Sequence, residues 1–136
     1  MSTELQRARD RADVAAPRWG LLAAIDLYGC DKGRLADADA IRGFVSQLVP
    51  AIGMKAHGPT LLERFGSGDL EGWSAMQFIE TSSITLHADE VGGRCFIDVF
   101  SCRDFDPEIA AEIAYCWFGG SARVTVLDRG GAALAA

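Results

Sequence analysis

Apolar residues recur along this chain with two periods, and the changes between them lay out the elements. From Trp19 to Tyr28 the apolar run is dense, with Leu21, Ala23, Ile25 and Leu27 on one parity and Gly29 at its end. That pattern predicts a largely buried strand. Between Ala36 and Ile52 the period lengthens to that of a helix, with Ile41, Phe44, Val45, Leu48, Val49 and Ile52 forming one apolar face. Asp37 or Asp39 can serve the open amides at its start, and Pro50, which has no amide hydrogen, should bend or end it. Gly53 to Pro59 reads as a loop.

Alternation then returns. Thr60 to Phe65 is a second expected strand, Gly66 to Asp69 a flexible loop, and Trp73 to Thr81 a strand apolar on both faces, which suits a central position. Ser83 to Leu86 and Arg94 to Cys102 pair as a hairpin across Asp89 to Gly93. Asp106, Pro107 and Glu108 open a second helix with a capping carboxylate and a proline at its first position. Ile109, Ile113, Cys116 and Trp117 give its expected buried stripe, Gly119 and Gly120 stop it, and Arg123 to Leu127 is a last strand. This order predicts an α+β fold: a two-layer sandwich with two helices on one face of a mostly antiparallel sheet. A sheet with one uncovered face should find a partner, so a homodimer is expected.

Composition narrows the function. The 136 residues suit one domain, expected over 19–129, with a flexible extension at 1–18 and a flexible tail at 130–136. A net charge of -6 argues against a nucleic-acid partner, which needs a basic footprint, and favours a small-molecule substrate. No apolar run approaches the roughly 20 residues that cross a bilayer. No membrane partner is therefore expected. Cys30, Cys95, Cys102 and Cys116 form no CxxC pair, and no signal peptide is visible, so a reduced, cytoplasmic protein is expected.

The chemistry concentrates in Ser82-Ser83-Ile84-Thr85-Leu86-His87 and Asp98-Val99-Phe100-Ser101-Cys102, with Ser74 upstream. Hydroxyls or a thiol near an imidazole can support nucleophilic chemistry. No Gly-x-Ser-x-Gly occurs, which disfavours a hydrolase. His87, Cys102 and Cys95 lack the spacing of a zinc site, so no metal is expected. Along a regular strand Ser82 and His87 have opposite parity, whereas Ser83 shares a face with His87. Either the backbone departs from a strand at Ser82, or Ser83 is the reactive residue.

Taken together with Tyr28-Gly29-Cys30-Asp31, these segments resemble the short prokaryotic branch of the S-adenosylmethionine decarboxylase proenzymes, from about Trp19 to Arg129. The resemblance implies a pyruvoyl-dependent decarboxylase of polyamine biosynthesis that makes its own cofactor. Ser82 would attack the Thr81 carbonyl, the chain would cleave between Thr81 and Ser82, and residue 82 would become the pyruvoyl group that forms a Schiff base with substrate. Ser74 and His87 would carry processing roles, His87 as proton acceptor, and Cys102 would be the proton donor in decarboxylation.

Three departures bear on substrate and cleavage. Thr81 stands where the family usually has Glu. Ala88-Asp89-Glu90-Val91 replaces the family's Thr-Trp-Pro-Glu, whose acid grips the ribose, and the adenine-stacking aromatic falls to Phe65 only if the following loop is lengthened. Phe65, Glu90, Asp89 and Glu71 are the expected substrate contacts. S-Adenosylmethionine is the nominal substrate, ornithine or arginine the alternative, and an unprocessed, non-catalytic binding or regulatory homologue a reading of another class.

Overall fold

In the computed structural model, which describes residues 18–130, the dense apolar run forms strand β1 (Gly20–Tyr28). A short helix α1 (Lys32–Leu35), not anticipated from the pattern, follows and is capped by the Asp31 carboxylate accepting from the Arg34 amide. The amphipathic stretch forms α2 (Ala38–Ala51), capped by Asp37 accepting from the Asp39 amide, with Pro50 in its last turn. Strands β2 (Leu61–Phe65), β3 (Gly72–Ile79), β4 (Ser82–Asp89) and β5 (Arg94–Ser101) come next. Helix α3 (Pro107–Phe118) and strand β6 (Ser121–Arg129) complete the order. The expected N-terminal extension and C-terminal tail fall, apart from Arg18 and Gly130, outside the described residues.

The strands form one sheet in the order β2-β3-β4-β5-β1-β6, and every neighbouring pair is antiparallel. Ile25, Ile84, Leu86, Ile97 and Val99 project from one face and are buried beneath α2 and α3, where Phe44 and Phe118 meet edge to face at 5.3 Å. The expected α+β sandwich is therefore observed.

Helix α3 buries a different stripe from the expected one. Ala110, Ala111, Ile113, Ala114 and Phe118 face inward, while Ile109 and Cys116 are exposed. Small alanines let the helix lie close to the sheet. Trp117 instead lies on α2, where a Cβ at Gly43 would clash with the indole, and its Nε1–H donates to Gln47.

The opposite face of the sheet is uncovered by helix. Cross-strand register arranges it in rows: Phe78, Ser83, Phe100, Leu22 and Leu127 in one, Met76, Thr85, Asp98, Ala24 and Thr125 in the next, and Ser74, His87, Phe96, Asp26 and Arg123 in a third. Much of it is apolar and exposed, with Phe78 at 48% and Leu127 at 55%.

Candidate active site

The connection between β3 and β4 consists of Glu80 and Thr81 alone. Hairpin turns of that length favour Asn or Gly at positive φ, and neither residue is available here. The distortion falls instead on Ser82, whose φ is +153°. Among the described residues it is the one non-glycine with a positive φ. Such a conformation costs about 1–3 kcal/mol and persists where the surroundings enforce it.

Hydrogen bonds enforce it from three directions. The Glu80 amide donates to the Lys55 carbonyl at 2.9 Å and the His57 amide to the Phe78 carbonyl at 2.8 Å, tying the end of β3 to the loop after α2. Because β5 ends at Ser101, the next amide is free of the ladder, and Cys102 N–H donates to the Thr81 carbonyl at 3.0 Å. From the core side, the hydroxyl of Ser101 donates to Thr81 Oγ1 at 2.7 Å, and Thr81 Oγ1 donates to Met54 Sδ at 3.3 Å. Thr81, Ser82, Ser101 and Cys102 thus form one cluster around the Thr81–Ser82 peptide bond. The backbone therefore does depart from a regular strand at Ser82, while Ser82 keeps its pairing with Ile79 and Ser101 and Ser83 keeps its own with Phe78 and Phe100.

A second cluster lies further along β4. Ser74 and His87 are directly paired across β3 and β4 on the uncovered face, with Ser74 Oγ 2.9 Å from His87 Nδ1. When Nδ1 donates to the serine, Nε2 is left with a lone pair that can take a proton. His87 borders two open clefts. One, of about 380 Å³, is lined by Leu61, Phe65, Met76 and Thr85. The other, of about 460 Å³, is lined by Asp69, Leu70, Asp89 and Phe96.

The two clusters do not meet within one chain. His87 lies five residue steps along β4 from Ser82, about 17 Å at roughly 3.3 Å per residue.

The expected substrate contacts also divide. Phe65 shares a cleft with His87. Asp89 lines the other cleft, but its carboxylate accepts from Arg94 Nε at 2.6 Å and from the Gly92 amide at 3.1 Å, and these bonds hold it below its ordinary pKa. Glu90 is gripped by both terminal nitrogens of Arg64, which also pairs with Glu71 at 3.0 Å and lies over Trp73. That guanidinium is held strongly in its charged form, chiefly by the Glu90 bond. Trp73 packs against the core and donates to the Ala36 carbonyl, so this network sits toward the helices, away from His87.

Of the remaining thiols, Cys95 is fully buried on the helix side, where burial pushes its pKa well up. It cannot join His87 in a metal site, and among the described residues no three His, Cys, Asp or Glu side chains converge. Sequence reasoning missed Ser101, Met54 and the Cys102 amide. A signal for Ser101 was present: a hydroxyl on the same parity as Cys95, Ile97 and Val99 must be buried and satisfied.

Comparisons with known proteins converge on one group. A profile described as S-adenosylmethionine decarboxylase matches residues 22–130. The chain belongs to the S-adenosylmethionine decarboxylase family. This is a family of carboxy-lyases. An S-adenosylmethionine decarboxylase proenzyme of Geobacillus kaustophilus is 30% identical over 106 residues, covering 77% of this chain and 82% of that protein. S-adenosylmethionine decarboxylase proenzyme 2 of Halalkalibacterium halodurans is 30% identical over 107 residues, covering 77% and 81%. The crystal structure of the adenosylmethionine decarboxylase of Aquifex aeolicus superposes with a TM-score of 0.72 over 84% of this chain and 92% of that one. At 21% identity that likeness speaks for the fold. The family assignment agrees with the resemblance carried by the serine, histidine and cysteine segments.

Proposed function

We propose that this chain is a self-processing, pyruvoyl-dependent S-adenosylmethionine decarboxylase that acts as a homodimer of cleaved protomers. The observation that carries this reading is the strained Ser82, whose preceding carbonyl already accepts from the Cys102 amide.

The residues around Ser82 fit the generation of a pyruvoyl group there. Cleavage falls in a hairpin turn, so residues 1–81 keep β1, β2 and β3, residues 82–136 keep β4, β5 and β6, and the sheet holds both fragments together. In the first step Ser82 Oγ bonds to the Thr81 carbonyl carbon and its proton passes to a base. Negative charge on the carbonyl oxygen meets the Cys102 N–H, a preorganised donor for a developing oxyanion. The carbon–nitrogen bond then breaks, the nitrogen takes a proton, and an ester with a free amine results. Loss of the α-proton of residue 82 expels the Thr81 carboxylate. The dehydroalanine left behind takes up water through its imine tautomer and releases ammonia. The resulting pyruvoyl carbonyl supplies an electron sink for decarboxylation. Cys102, exposed beside the new terminus, is assigned to return a proton to substrate.

The α-proton needs an acceptor, and His87 of the same chain is too far along the strand. A second copy supplies one. A twofold axis between two facing sheets, running across the strands, reverses β4 of one copy over β4 of the other. Ser82 of each then lies toward the partner's His87, with the sheets about 10 Å apart. The same packing covers Phe78, Phe65 at 58% exposure and Leu61 at 50% exposure.

A basic amino-acid substrate is not favoured, because Glu71, Asp89 and Glu90 are already ion-paired to Arg64 and Arg94. Four unpaired thiols suit a reducing, cytoplasmic setting, and no described helix is long and apolar enough to cross a membrane.

Intact mass tests processing. Two fragments split before Ser82 support the reading, and a single species at 14.6 kDa contradicts it. CO2 release from S-adenosylmethionine, with none from ornithine or arginine, tests the substrate.

A further inference from the structure

Thr81 is held at two points by two adjacent residues of one strand end. Its carbonyl accepts from the Cys102 amide and its hydroxyl accepts from Ser101. Ser101 has no solvent exposure. Its own hydroxyl oxygen accepts from the Arg103 amide at 3.0 Å. The bonds link the Arg103 amide to the Ser101 hydroxyl, the Ser101 hydroxyl to the Thr81 hydroxyl, and the Thr81 hydroxyl to the Met54 sulfur. Ser101 Oγ also lies 3.5 Å from the same sulfur, so both hydroxyls converge on Met54, the Ser101–Thr81 bond being the shorter at 2.7 Å, and a connected buried network of this kind is rigid.

We infer that Ser101 is a positioning residue for self-cleavage: through the Thr81 hydroxyl it sets the plane of the scissile carbonyl. This rests on the self-processing reading of the same site. Threonine is branched at Cβ, so fixing Oγ1 fixes χ1. With the carbonyl fixed as well, the Thr81–Ser82 peptide plane cannot turn without breaking one of the two bonds. That plane decides whether Ser82 Oγ meets the face of the carbonyl carbon, and small misplacements of reacting atoms slow reactions steeply. The network also accounts for a hydroxyl residue at position 81. A carboxylate turned toward Ser101 would be buried without a cation.

The test follows full-length chain made by cell-free synthesis, with intact mass read over time. Ser101→Ala and the isosteric Thr81→Val should each slow cleavage by about 10²-fold. Ser101→Thr and Thr81→Ser, which keep the hydroxyls, should cut near the wild-type rate. Hydroxylamine cleaves esters, and it should not hasten cutting of Ser101→Ala, since the slowed step precedes the ester. Circular dichroism and thermal unfolding show that each variant is folded, and Thr81→Val carries the test where Ser101→Ala is not. Wild-type cutting rates in both hydroxyl-deleting variants overturn the inference, as does rapid hydroxylamine cleavage of Ser101→Ala, which would place the block after the acyl shift. An uncut wild-type chain defeats the self-processing reading itself.

Discussion

The two ends of β4 are built for opposite conditions. At the Ser82 end the chain is clamped by backbone bonds from Lys55 and Cys102, backed by the buried Ser101 hydroxyl, and forced into a backbone conformation that serine avoids. At the His87 end the imidazole stands on an uncovered face, bonded to Ser74 and bordered by open clefts. On the proposed reading, the first end would hold the nucleophile, the carbonyl it attacks and an amide aimed at that carbonyl's oxygen, but no imidazole for the elimination step. The second would hold that imidazole, far from the α-proton of residue 82. Such halves, separated along a strand, are what the proposed homodimer would bring together, with the exposed apolar rows as its surface.

This division orders the consequences of substitution. The largest effect is Ser82→Ala, which removes the nucleophile and should leave one uncut chain, while Ser83→Ala should still be cut; the reverse result, read by intact mass, would move the reactive residue. His87→Ala should let the acyl shift proceed and slow elimination by about 10²–10⁴-fold, the usual value of a positioned base. Ester should then accumulate, and hydroxylamine should cut it. Resistance to hydroxylamine would mean that His87 serves the clamped end as well. Cys102→Ala retains the amide that donates to Thr81, so cleavage should persist while CO2 release falls by about 10²-fold.

The smallest effect concerns the β4–β5 turn. Arg94, aided by the Gly92 amide, holds the Asp89 carboxyl below its ordinary value of 3.8. Stability from that bond is present above the unfolded value and is lost as pH falls through the lower folded value. Wild type should therefore lose stability in acid, and Asp89→Asn should lose less between neutral pH and about pH 3, measured as urea midpoints.

Most of this fold is legible in the apolar pattern, because strands that bury one face against helices must alternate. The distortion at Ser82 is legible too, as a parity conflict between Ser82 and His87. Other features escape for physical reasons. Glu80 and Thr81 carry no turn signal, since the strain of the turn falls on the residue after them. The inward face of α3 is mainly alanine, and large apolar residues such as Ile109 therefore mislead. Arg64 claims Glu71 and Glu90 from a different strand, so their free carboxylates are visible only until the sheet assembles. Sequence spacing shows Ser82 and His87 as near neighbours, but an extended strand turns that spacing into distance.

In the proposed dimer each active site joins Ser82 of one chain to His87 of its partner, and co-expression of two variants shows whether it does. Ser82→Ala and His87→Ala chains are given different masses by tags and produced together. The His87→Ala chain, slow to process alone, should be cut before Ser82 when the Ser82→Ala chain supplies the partner's His87. Cleavage of the His87→Ala chain that remains as slow as when it is expressed alone, in a mixture shown to contain heterodimers, would contradict it.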